Sequence, residues 1–152
     1  MANSLSVTST LKGNMAFEAT AGSGHSLVLD VDSSGGGSDL GFRPMEMLLM
    51  GLAGCTGMDV ISILRKMHQE VTSYQVRAEG DRAEEHPRVY THITVEHIVK
   101  GSNLEIDKVR RAVELSATRF CPASAMLGKA AQITHSYRMI DSETDTEQTG
   151  TL

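Results

Sequence analysis

Residues 6–11, 15–19 and 26–31 alternate between apolar and polar positions, the two-residue period of half-buried strands. Lys12-Gly13-Asn14 and Ala21-Gly22-Ser23-Gly24 separate them with turn residues, so a three-stranded antiparallel meander is predicted. Residues 33–38 (Ser-Ser-Gly-Gly-Gly-Ser) predict a flexible loop. They precede a helix but lack the GxxxxGK[ST] pattern and any strand–GxGxxG–helix setting, so they do not read as a phosphate site.

The pattern changes at Arg43. Residues 43–67 predict one long helix. Pro44 suits its first position, where a missing N–H is harmless. Glu46 meets the positive end of the dipole, and Arg65, Lys66 and His68 lie near the negative end. Residues 47–58 carry no charge and are apolar on every face, which predicts burial on most sides. This uncharged run is shorter than the roughly 17–25 residues of a membrane span, so the reading is a core helix and not a membrane one. Gly51, Gly54 and Gly57 interrupt it, each disfavoured by about 1 kcal/mol relative to alanine. Small residues at that spacing admit a second backbone or helix close by, or hold a thiol in a narrow pocket.

Alternation returns at residues 71–79 and 89–99, joined by a charged turn at 80–88, and predicts a second hairpin. Residues 106–120 have helical spacing through Ile106, Val109, Val113, Ala117 and Phe120. Pro122 opens a short third helix to about Lys129, and residues 131–140 close the fold as a strand. The tail, 141–152, is polar and predicts disorder. Residues 1–140 thus read as a single α+β domain whose antiparallel sheet packs on a long buried helix. One sheet covers one side of that helix, so a symmetric homodimer packing two such helices is expected.

Composition alters this picture in two respects. Nine methionines and no tryptophan make an adaptable interior. The net charge of −5, with no basic stripe, argues against nucleic-acid binding. The N-terminus lacks a signal-peptide pattern, which points to the cytoplasm and away from a disulfide scaffold.

Two cysteines are the candidates for chemistry. Cys121, before Pro122, stands at the N-cap of a helix, where unpaired N–H groups favour a thiolate. A small residue that merely fits before proline is the alternative. Cys55 lies mid-helix among apolar residues, where burial alone makes a thiol unreactive. It needs a nearby cation or donor to become a nucleophile. Glu46 is about 13–14 Å away along the helix axis, out of reach within one chain but accessible across a two-fold interface. Cys55 and Cys121 with His68, His92, His97 or His135 match no zinc spacing, so no metal is expected. No GxSxG elbow is present.

Taken together, Pro44-Met45-Glu46-Met47-Leu48-Leu49, then Leu52-Ala53-Gly54-Cys55, then Arg119-Phe120-Cys121-Pro122-Ala123-Ser124-Ala125 with Ile133-Thr134-His135, resemble the OsmC / organic hydroperoxide resistance (Ohr) family. The order of elements agrees over residues 4–140. The resemblance implies an intertwined α+β homodimer with two central helices wrapped by sheets. It implies a cytoplasmic antioxidant enzyme of the stress response, a peroxidase acting on organic hydroperoxides. Cys55 would be the peroxidatic thiolate and Cys121 the resolving thiol. An external lipoyl-type dithiol would be the reductant, with no bound cofactor. Peroxidase members of the family carry glutamate directly after the proline, where this chain has Met45, with Glu46 one residue later. They also carry a loop arginine that this chain lacks before Arg43. Arg43 and Glu46 are therefore the candidate activating pair. The Pro-Met-Glu start places the sequence nearest the YhfA-like branch. The alternatives are a dimeric binding protein for a small apolar ligand, and a thiol enzyme acting on a disulfide or thioester.

Overall fold

The first strands form where the alternation predicts them. In the computed structural model, which describes residues 4–152, β1 (Val7–Gly13), β2 (Ala16–Ala21) and β3 (Ser26–Leu29) make an antiparallel meander in that order. Asn14, at φ 47°, turns the chain between β1 and β2. These strands belong to a compact unit that ends at Leu48.

The loop after β3 is not the flexible connection expected from its composition. Asp30, only 2% exposed, accepts from the backbone N–H groups of Val31 (2.8 Å), Ser38 (3.1 Å) and Leu40 (3.1 Å). Asp32 caps a 3₁₀ turn at Ser33–Gly35. Burial pulls the Asp30 carboxyl upward, but the N–H donors hold it below its ordinary value. A Cβ on Gly37 would meet the Val31 carbonyl oxygen at 2.0 Å, so glycine is needed there for close packing.

Helix α1 (Pro44–Lys66) begins in this unit and continues into the second, which runs from Leu49 to Leu152. It is the one helix among the described residues long and apolar enough to cross a membrane. Its buried stripe, Leu52, Thr56, Val60 and Leu64, instead marks a core helix. Burial on most sides is not met within this chain. Leu48, Met50 and Met58 remain exposed, Met58 at 74%. Gly57 is approached by Val76 and Tyr74, whereas Gly51 and Gly54 face open space.

In the second unit β4 (Glu70–Arg82) and β5 (Tyr90–Ser102) form the predicted hairpin. The chain crosses over through α2 (Ile106–Leu115), a π-helical turn (Ser116–Phe120) and α3 (Pro122–Leu127). It then enters β6 (Gln132–Asp141), parallel to β5. The sheet is therefore mixed and not wholly antiparallel, because a helical crossover returns a strand in the same direction. The predicted helix over 106–120 ends early, its last turn widened into the π segment. The tail predicted as disordered instead forms β7 (Glu147–Thr151), antiparallel to β6. Asp141 Oδ1 holds the turn by accepting from the N–H groups of Glu143 and Thr144. An edge strand is held by main-chain bonds, and these leave no apolar pattern to read. The core joins Val60 and Leu64 of α1, Val109, Ala112 and Val113 of α2, and Val99, Tyr137 and Met139 of the sheet.

Candidate functional site

Cys121 is the N-cap of α3, as the Cys-Pro dipeptide predicts. Its backbone is extended (φ −75°, ψ 106°), and its Sγ accepts from Ser124 N at 3.3 Å. Its own N–H donates to the Ser116 carbonyl at 3.0 Å, so the π turn fixes where the cap stands. The residue is 3% exposed. Cys55, on α1, is half-buried. Its thiol lies beside the Cys121 thiol and the Ala123 N–H, both of which bear on its ionisation. Both are free cysteines. The first turn of α3 therefore bonds Cys121 through Ser124 N–H and turns Ala123 N–H toward Cys55.

The electrostatics of the two-thiol site are mixed. Burial pushes the Cys55 thiol above its ordinary value; the Ala123 N–H works against this, while Cys121 and the Asp59 carboxylate add to it. Asp59 lies one turn after Cys55 on the same side of α1 and accepts from Ser116 Oγ at 3.0 Å. Ser116 Oγ also meets Thr56 Oγ1 at 2.8 Å in a buried contact. Sequence reasoning missed Thr56, Asp59 and Ser116. The one signal available was that Asp59 is the first charge after the uncharged stretch.

Arg43 and Glu46 are brought together at the start of α1. Arg43 N–H donates to Glu46 Oε2 at 2.9 Å, the return half of a capping box. The guanidinium pairs with Asp39 and donates to the Gly41 carbonyl. These contacts all lie within the segment itself.

A second polar group sits in the sheet of the larger unit. Tyr74 Oη meets His97 Nδ1 at 2.7 Å, and His97 Nε2 meets His135 Nδ1 at 3.3 Å. The three rings stack in series. Burial, with His135 adding to it, depresses His97 to about 3. Burial lowers His135 as well. Both rings are therefore neutral near pH 7. Among the described residues no three His, Cys, Asp or Glu side chains gather as a metal site would require.

Comparison with known proteins places this geometry. Residues 35–136 match the family model of the OsmC-like proteins. Protein YhfA of Escherichia coli K12 is 42% identical over 126 residues, 83% of this chain and 91% of that protein. A crystal structure of a hypothetical protein from Aquifex aeolicus superposes with a TM-score of 0.83 at 27% identity, over 93% of this chain and all of the other. An organic hydroperoxide resistance protein OsmC from Legionella pneumophila shares the fold, with a TM-score of 0.68 at 12% identity over 89% of this chain and 96% of its own. With a helix-borne cysteine meeting a second cysteine at a Cys-Pro helix start, this chain belongs to the OsmC-like family.

Proposed function

We propose that the protein is a two-cysteine peroxidase that reduces organic hydroperoxides. The observation that carries this is the pair of free thiols beside each other at the first turn of α3, where Ser124 N–H bonds Cys121 and Ala123 N–H favours the Cys55 thiolate. The Cys55 thiolate attacks the terminal oxygen of ROOH. The O–O bond breaks, the alcohol ROH leaves after taking up a proton, and Cys55 becomes a sulfenic acid. The Cys121 thiolate then attacks that sulfur and expels water, forming the Cys55–Cys121 disulfide. A dithiol of the lipoyl type reduces the bridge by exchange and is itself oxidised to a cyclic disulfide.

The raised Cys55 requires an activating cation. We assign that part to Arg43, oriented by Glu46 and supplied across the two-fold interface of a homodimer in the cytoplasm. The exposed Leu48, Met50 and Met58 and the unapproached Gly51 and Gly54 support such an interface. Organic hydroperoxide resistance proteins among the structural neighbours support the substrate class.

Turnover of cumene hydroperoxide with dihydrolipoamide as reductant tests the reading. Consumption should exceed that with glutathione and should vanish in Cys55→Ser and Cys121→Ser. An apolar cavity of about 340 Å³, lined by Val7, Ala19, Leu27, Leu29 and Met47, favours a second reading, the binding of a small apolar ligand. Absence of turnover together with retained lipid would select it.

A further inference from the structure

A cavity of about 350 Å³ opens between the π turn, α3 and β6, with Ala117, Thr118, Ser124, Ile133, His135 and Leu152 in its wall. Two of these residues are polar and more than nine-tenths buried: Ser124 at 6% exposed and His135 at 5%. Among the described residues, Ser124 Oγ is the one buried side-chain polar atom without a hydrogen-bond partner. A buried hydroxyl left unpaired is unfavourable, and such groups are rare without a reason. The backbone of Ser124 is fully engaged, its N–H with Cys121 and its carbonyl with Gly128 N–H. Only the hydroxyl is left without a partner.

The hydrogen-bond series from Tyr74 fixes what His135 presents. In the inferred arrangement the phenol of Tyr74 donates to His97 Nδ1. Neutral His97 must then carry its proton on Nε2 and donate to His135 Nδ1. Neutral His135 is left with its proton on Nε2. That N–H makes no other hydrogen bond among the described residues. Ser124 Oγ–H and His135 Nε2–H are thus two spare donors on residues that line one cavity. No charged side chain lines it, and its remaining wall includes the apolar Ala117, Ala131, Ile133 and Leu152.

We infer that this cavity is a binding site, apart from the thiol pair, for a small uncharged carbonyl compound whose oxygen accepts from Ser124 Oγ and His135 Nε2 while its apolar body packs on Ile133 and Leu152. A carboxylate is disfavoured because no cation would offset its desolvation. The site also adjoins the thiols through Ser124, whose backbone N–H caps Cys121.

Titrating the isotope-labelled full-length protein with cyclopentanone and, separately, with sodium acetate tests this by NMR. Cyclopentanone should give saturable shifts at Ser124, Ala131 and His135, and acetate should not. Long-range nitrogen spectra should show His135 protonated on Nε2 with Nδ1 bare. Ser124→Ala keeps the backbone cap and removes only an unpaired hydroxyl, so it should fold, and it should bind about 2- to 12-fold more weakly. No saturable shift, equal binding by Ser124→Ala, tighter binding of acetate, or a His135 proton on Nδ1 would each overturn the inference.

Discussion

Ser116 Oγ stands 2.8 Å from Thr56 Oγ1, and through that contact the residue beside Cys55 is tied to the turn that holds Cys121. The Ser116 carbonyl accepts from Cys121 N–H, and its hydroxyl donates to Asp59. One serine thus registers both cysteine-bearing segments against each other. Ser116→Ala leaves Thr56 and Asp59 without that partner. It should lower stability by about 1–3 kcal/mol, read as a lower urea midpoint at unchanged slope. It should also slow peroxide-induced formation of the disulfide. An unchanged disulfide rate in the folded variant would remove Ser116 from the positioning role.

Asp59 should restrain the Cys55 thiol. Its negative charge disfavours the thiolate, so removing it lowers the Cys55 pKa and raises the thiolate fraction at neutral pH. Asp59→Asn, which can still accept from Ser116, should react with iodoacetamide about two- to fivefold faster at pH 7. In the unaltered protein the alkylation rate of Cys55 should still be climbing at pH 9.0, its ordinary value. A slower Asn variant would contradict the assignment.

His97 and His135 predict the acid limb of stability. Their folded values lie below the ordinary 6.5, His97 at about 3. Between those values the unfolded chain binds more protons than the folded one, so stability falls as pH drops below about 6.5. Each histidine can add up to about 1.4 kcal/mol per pH unit to that slope. Urea midpoints from pH 7 to pH 4 should show the fall, and His97→Phe should flatten it. A variant with the same slope would place the titration elsewhere.

Met58 tests the dimer. It is 74% exposed and lies one helical turn beyond Gly54, which nothing in this chain approaches. Met58→Glu should therefore leave the chain folded yet convert a dimer to a monomer in light scattering. An unchanged mass would mean that this face of α1 is not the interface.

Much of this architecture was legible because burial writes a period into the sequence. Alternation marked β1 to β6, and the helix spacing of Ile106, Val109 and Val113 marked α2. Cys121-Pro122 announced its cap from residue chemistry alone. Features made by the main chain or by distant partners left no such trace. β7 is polar because an edge strand is held by backbone bonds, and β6 runs parallel to β5 because of a crossover that strand periodicity does not record. The loop after β3 reads as flexible by composition, yet one buried carboxylate, Asp30, collects three of its N–H groups. The link from Thr56 through Ser116 to Asp59 spans two helical segments, so only the fold brings it together. The exposure of Leu48, Met50 and Met58 on α1 belongs to the same class, since an apolar run does not record which of its faces the chain covers.

Cys55 and Cys121 are proposed to act as one redox pair on organic hydroperoxides. Single-turnover stopped flow of the fully reduced protein against cumene hydroperoxide and hydrogen peroxide, with mass analysis of the quenched products, tests it most directly. Two thiols per chain should be lost, a Cys55–Cys121 bridge should form faster with the organic peroxide, and a sulfenic acid on Cys55 should accumulate in Cys121→Ser. Survival of both thiols through minutes of peroxide excess, or oxidation of Cys121 alone, would contradict it.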